Sequence, residues 1–331
     1  MLYPSSMLFM MTLLLGTTLA ISCSSWFGAW MGLELNLMSF LAIIVVKNSQ
    51  YSSEAALKYF LTQALASLVI MFSAIFFNLA VDYAQVSMTI SLLLKSGAAP
   101  FHFWFPAVME SLNWSHATIL MTIQKIAPLS LLSHLSDSAK LLFMMSAIVS
   151  ALVGAMGGLN QTSLRKLLTY SSINHMAWML MAITMSELMW IIYLFTYSLM
   201  VSTITYLFFS QQSFYISSLI SNKNNSMFMK MITFMSLFSL GGLPPFTGFF
   251  IKWMMIQELT MSSDFIMLLF LLGSALLTLF FYMRILSFTL LMSHFTPKWT
   301  TNKKEIILIT PLFISINFLG MFLPSFLILT A

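Results

Sequence analysis

Four ionisable side chains, Glu34, Lys95, Lys125 and Lys252, sit inside long apolar stretches of a chain in which only 7% of residues are charged. Each such group costs about 2.5 to 3.5 kcal/mol in hydrocarbon even on the lenient insertion scale, so it is a functional candidate by default. A static ion pair between Glu34 and Lys95 would tie two helices together, but one carboxylate cannot neutralise three lysines. Proton acceptance accounts for all four. Burial makes an ammonium costly and a neighbouring carboxylate offsets that cost, so the groups titrate as a coupled set. Two unit charges about 7 Å apart at an effective dielectric of about 20 interact by about 2.4 kcal/mol. Moving one charge against the membrane potential costs about 2.3 kcal/mol per 100 mV, so one changing pair supplies much of an uphill proton step. His175, in "YSSINHMAW", is a further relay candidate with Ser171 and Ser172, and His102, in "PFHFW", is another. A structural hydrogen bond is the alternative role for each histidine.

The elements that must position these groups are membrane helices. The chain has 331 residues, 60% of them hydrophobic, with brief polar breaks between apolar runs, which is the pattern of an all-α integral membrane protein. Hydropathy and breakers predict eleven transmembrane helices in one transmembrane domain, at approximately 5–24, 26–46, 54–79, 83–98, 116–135, 139–158, 163–184, 187–212, 227–257, 262–293 and 304–330. At a rise of 1.5 Å per residue, Glu34 and Lys125 lie about 14 Å into their helices, and Lys95 and His175 about 18 Å, all near mid-membrane. The ninth stretch would measure about 46 Å as one straight helix, longer than a hydrocarbon core of about 30 Å. It contains "GGLPPFTGFF", which breaks a helix and requires the freed carbonyls to be buried in protein or to face a wet cavity. The fourth helix ends in a similar phrase, "APFHFW", with Pro100 as its terminator. The two phrases lie five helices apart, and this odd offset implies two inverted five-helix units, 1–135 and 139–293, with the helix over 304–330 outside the repeat. Paired interruptions of this kind point to an inverted-repeat transporter.

Loop charges set the orientation. The loops after the second, sixth, eighth and tenth helices hold Lys47, Arg165, Lys166, Lys223, Lys298, Lys303 and Lys304, with Lys58 and Lys230 just beyond. The alternate loops hold Asp82, Asp137, Glu187, Glu258 and Asp264, with Lys140 as their only base. The N-terminus therefore lies on the basic side and the C-terminus on the other. Arg284 snorkels to the basic face, and Glu54 with Lys58 forms a surface pair one turn apart. The first segment lacks the basic n-region of a signal peptide and reads as a retained helix. A single cysteine, Cys23, and the absence of any Cys/His cluster at ligand spacing argue against iron-sulfur, zinc and covalently attached haem. No phosphate loop, dinucleotide fingerprint or nucleophile elbow is present. Thirty methionines fill apolar positions, and also suit a mitochondrial gene, whose code in many animals reads an extra codon as Met.

Six phrases, "GAWMGLELN", "SEAALKYFLTQALAS", "KSGAAPFHFWFP", "QKIAP", "LRKLLTYSSINHMAW" and "LGGLPPFTGFFIKW", occur in that order. Together they resemble the chain 2 family of mitochondrial NADH-ubiquinone oxidoreductase, antiporter-like subunits in the membrane arm of respiratory complex I. The resemblance implies proton translocation coupled to electron transfer, with NAD, FMN, iron-sulfur clusters and ubiquinone on other subunits and no cofactor on this chain. It implies that Glu34 and Lys95 are the coupled acid and base, Lys125 the central relay and Lys252 the terminal lysine. It also implies a mitochondrial inner-membrane location with the basic loops in the matrix. The expected partners are neighbouring membrane-arm subunits and lipids such as cardiolipin, without nucleic acid. Wider relatives have fourteen helices, so contacts made by the three missing ones do not carry over, and no Lys or Glu in the seventh helix stands opposite Lys252. Two other classes remain open on the residues alone. A free-standing cation/proton antiporter would work without partners, and a structural subunit would have a dry, sealed polar axis.

Overall fold

The computed structural model describes residues 4–45, 50–77, 81–136, 139–221 and 227–291, with positions 315 and 317. Lys47, Asp137, Lys223, Lys298, Lys303, Lys304 and, apart from those two positions, the helix expected over 304–330 lie outside the described residues. The regular structure of the described residues is helical, save for one isolated antiparallel bridge between Ser163 and Tyr215. The chain opens with α1 (Pro4–Ser22), α2 (Trp26–Val45) and α3 (Gln50–Phe76). Next come α4 (Val81–Ser96), a turn and the short α5 (Trp104–Ser111), followed by α6 (Trp114–Met121) and α7 (Ile123–Ser133). The remainder is α8 (Lys140–Gly158), α9 (Leu164–Met185), α10 (Glu187–Gln211), the short α11 (Ile216–Ser221), α12 (Met227–Gly241), α13 (Thr247–Met261) and α14 (Phe265–Leu291). Five of them, α2, α3, α8, α10 and α14, are long and apolar enough to cross a bilayer.

The expected helix boundaries need correction in three places. The helix expected over 116–135 begins at Trp114 and is divided into α6 and α7 by Thr122. Residues 104–111, left outside any helix by hydropathy, form α5, whereas the 227–257 stretch is broken at "GGLPPFTGFF" as expected, into α12 and α13. The fourth helix stops at Ser96, ahead of Pro100, because Gly97 takes a φ of 73°.

Lipid tails are as apolar as leucine, so close packing rather than hydrophobic burial holds membrane helices together. Leu57, Leu61, Leu65, Leu68 and Phe72 accordingly stay exposed along one face of α3. Where helices do meet, small residues admit a neighbouring backbone. A Cβ on Gly16 of α1 would stand 2.9 Å from the amide nitrogen of Asn36 in α2, and one on Gly154 of α8 would stand 2.6 Å from that of Asn174 in α9. α9 lies at the centre, buried on nearly every side from Leu164 to Ile183. It carries His175, and Lys125 donates to its backbone.

Candidate functional site

The first break positions Lys95. Gly97 N donates to Leu94 O at 3.2 Å and Ala98 N to Leu93 O at 3.1 Å, so α4 closes in the manner of a left-handed C-cap. Two terminal carbonyls then take side-chain donors: Trp104 Nε1 donates to Leu94 O at 3.1 Å and Gln63 Nε2 to Lys95 O at 3.5 Å. The Lys95 side chain is 6% exposed and lines a cavity of about 20 Å³ with Asn36, Tyr59, Gln63, Gln124 and Lys125. That volume accommodates one water, and the polar walls supply its partners. Gln124 Nε2 donates to Asn36 Oδ1 at 2.9 Å, and Tyr59 Oη to Gln124 Oε1 at 3.3 Å.

Glu34 stands two residues before Asn36 on α2. Its Oε2 is buried without a hydrogen bond, and Lys95 is within its electrostatic reach. Among the described residues the ion pairs are Glu54–Lys58, as expected, and Glu110–Lys166. The static Glu34–Lys95 pair is therefore not formed.

Lys125 follows the interruption at Thr122. Thr122 Oγ1 donates back to Thr118 O at 2.7 Å, and Lys125 N reaches Thr122 O at 3.1 Å, one residue short of an α-helical bond. Pro128 contributes from below, because it has no N–H to offer the carbonyl of Gln124 and its ring crowds that group. The lysine is 2% exposed, and its Nζ donates to Ser172 O of α9 at 3.3 Å. It also lies 5.0 Å from the ring centre of Tyr197 and 5.5 Å from that of Phe105, where aromatic faces attract a cation.

The second break holds Lys252. Gly242, at φ 79°, donates to Ser239 O at 3.2 Å and Leu243 N to Phe238 O at 3.3 Å, repeating the closure seen at Gly97. Lys252 Nζ donates to Gly241 O at 2.8 Å, at the negative end of the α12 dipole. His175 is hydrogen-bonded to the backbone of the preceding residue, Leu240, and its Nδ1 lies 2.9 Å from Tyr193 Oη. Both Lys125 and Lys252 are within electrostatic reach of His175.

Ser171 and Ser172 donate to Leu168 O and Thr169 O of their own helix at 2.8 and 2.7 Å, so neither hydroxyl donates to His175. His102 is 7% exposed with Nδ1 unpartnered, and it lines a cleft on the other side of α5 from the Lys95 cavity. Sequence reasoning missed Tyr193 and Tyr197. Their i, i+4 spacing in mid-helix, away from the interfacial positions favoured by aromatic anchors, is the signal that distinguishes them.

A family model described as "NADH:quinone oxidoreductase/Mrp antiporter, TM" matches residues 23–278, a span that contains all six candidate residues. The chain belongs to this family. Among family members, NADH-ubiquinone oxidoreductase chain 2 of Anopheles gambiae is 45% identical over 300 residues, covering 88% of this chain and 87% of the relative. The chain 2 protein of Aedes aegypti is 41% identical over 327 residues, covering 94% and 95%. A chain in the structure of respiratory complex I from Thermus thermophilus shares the fold at a TM-score of 0.84 and 22% identity, covering 97% of this chain and 78% of that one.

Proposed function

We propose that the chain is a proton-translocating core subunit of the membrane arm of mitochondrial NADH:ubiquinone oxidoreductase, moving protons along a lysine/glutamate axis while electrons pass through other subunits. One observation carries this reading. Glu34 and Lys95 are in electrostatic contact, Lys95 and Lys125 share a cavity, and Lys125, His175 and Lys252 are linked by charge in turn. Glu34 sets the charge state beside Lys95. Water in the shared cavity passes the proton between Lys95 and Lys125, the Tyr197–His175–Tyr193 group lies on the way to the second break, and Lys252 exchanges with the exit or the next subunit.

The finer architecture belongs to the same proposal. Eleven spans form two inverted units, 1–135 and 139–293, with the helix over 304–330 outside them. The matching closures at Gly97 and Gly242 and the matching glycine–asparagine crossings at Gly16 and Gly154 support this reading. The N-terminus lies in the matrix and the C-terminus in the intermembrane space. Neighbouring antiporter-like subunits and cardiolipin cover the outer faces, and NAD, FMN, iron-sulfur clusters and ubiquinone sit on other chains. The test is Lys125→Met in the assembled enzyme, measured as protons moved per NADH oxidised alongside quinone reduction. The expected result is a reduced proton yield; intact yield and intact quinone reduction together would end the relay role.

A further inference from the structure

A polar cleft of about 300 Å³ opens beside α5, on the face that carries Lys166 in the first turn of α9. Its walls include His102, Pro106, Ala107 and Glu110 from α5 and the turn before it, and Lys166 and Tyr170 from α9. The intervening residues Trp104 and Phe105 line the inner cavity that holds Lys95 and Lys125. The eight-residue α5 is therefore a wall one helix thick, with the polar cleft on one face and the buried lysines on the other. His102 stands at its open N-terminal edge, where the break leaves no preceding helical turn. Its Nδ1 is buried and unpartnered, an arrangement that calls for water as the missing partner.

Across the cleft, Lys166 Nζ and Glu110 Oε2 are 2.7 Å apart, with side chains 30% and 44% exposed. A pair this exposed is weak enough to open and close. Arg165, also within electrostatic reach of Glu110, is committed elsewhere. It donates to Leu112 O at 2.7 Å and lies 4.8 Å from the centre of the Phe214 ring. The charged and titratable groups facing the cleft are thus Glu110 from α5, and Lys166 and Tyr170 from α9, beside His102 itself.

We propose that this cleft is the intake by which water delivers protons to the Lys95–Lys125 cavity, with His102 as the transfer residue at its inner end and the Glu110–Lys166 pair as its latch. The inference rests on the proton-translocation reading above. A hydronium in the cleft gives its proton to the neutral His102 ring, leaving water. The imidazolium then releases one proton to water in the inner cavity, and no other bond changes.

The test uses the intact complex in inverted inner-membrane particles, whose matrix face is accessible. An Ala107→Cys complex is treated with a small charged thiosulfonate, with the unsubstituted complex as control for other thiols. Modification confirmed by mass is expected to lower NADH-driven proton uptake at least about threefold relative to the control, reversibly on reduction. Unchanged uptake overturns the intake. His102→Phe is expected to slow uptake about tenfold in an assembled complex, and unchanged uptake there overturns the histidine's part. Glu110→Gln is expected to speed modification of Cys at 107 about threefold, and an unchanged rate overturns the latch. Lys125→Met in the same particles separates the two proposals. If it keeps full proton yield, the proposed function fails; if it loses yield while the modified Ala107→Cys complex does not, only the cleft fails.

Discussion

The two helix breaks share a backbone and differ in chemistry. Each position of the first has a counterpart 145 residues on, as Gly97 has Gly242, and the bonds of Ala98 N and Phe101 N recur at Leu243 N and Phe246 N. At the first break the terminal carbonyls are held by Trp104 and Gln63, which never change charge. Lys95 is thereby left facing a water-sized cavity with Glu34 within electrostatic reach. At the second, the counterpart of Lys95 is Leu240, and the carbonyls are held by His175 and Lys252, which can change charge. Lys252 comes from the helix after the break, at the counterpart of Ala107. One backbone device thus presents a base to a water-sized cavity at the first break and plugs a base into its own carbonyls at the second.

The sharpest way to break this comparison is at Gly248. A Cβ there would fall 1.8 Å from Ser239 O, and no flexible side chain is available to move aside. Its counterpart at the first break is Phe103, which is exposed. Gly248→Ala is expected to reduce the assembled complex on native gels at least about fivefold, whereas Phe103→Ala leaves assembly normal. Equal assembly in the two variants would mean that the second break is not the tight junction described.

Lysine replacement separates the two presentations. Lys95→Leu and Lys252→Leu are both expected to lower proton yield per NADH about tenfold. Only Lys252→Leu also strips the donor from Gly241 O, and an orphaned buried carbonyl costs about 1–3 kcal/mol. Heat inactivation of the complex should therefore come earlier in Lys252→Leu than in Lys95→Leu. The same loss of stability in both would show that Lys95 too is a structural clamp.

The acid discriminates more finely. The glycine–asparagine crossing of Gly16 with Asn36 recurs 138 residues on as Gly154 with Asn174, and the same offset sets Ser172 against Glu34. An interaction of about 2.4 kcal/mol corresponds to a factor of about fifty at 1.36 kcal/mol per tenfold. Glu34→Gln is expected to slow coupled turnover between about tenfold and fiftyfold, and Ser172→Ala less than twofold. Comparable slowing in both would remove the asymmetry between the halves.

Much of this was legible in the residues. Charge in an apolar stretch is so costly that Glu34, Lys95, Lys125 and Lys252 mark themselves, and paired proline–aromatic phrases locate both breaks. The interruption at Thr122 was not legible by hydropathy, because it carries neither glycine nor proline at the break itself; Pro128 six residues on was the usable sign. For His175 the residues left a serine relay and a helix hydrogen bond open; the neighbouring serines bond to their own helix, as serines and threonines do in membranes, and the ring meets Tyr193 of α10. Such choices depend on which helices pack against α9, and a single amphipathic period cannot reveal that for a helix buried all round.

The smallest effect tests whether the halves match where they should. Asn36 Oδ1 accepts from Gln124 on α7, and Asn174 Oδ1 accepts from Ser274 on α14 at 2.8 Å. Interhelical hydrogen bonds in membranes contribute about 0.6 kcal/mol on average, so Asn36→Ala and Asn174→Ala are expected to lower heat stability by similar, small amounts. Turnover should separate them. Gln124 borders the cavity between Lys95 and Lys125, so freeing it disturbs the water there and slows Asn36→Ala about two- to threefold. Ser274 is not among the residues that line that cavity, and Asn174→Ala is expected to keep full turnover. Equal slowing in the two variants would place a second water-bearing segment of the axis between α9 and α14.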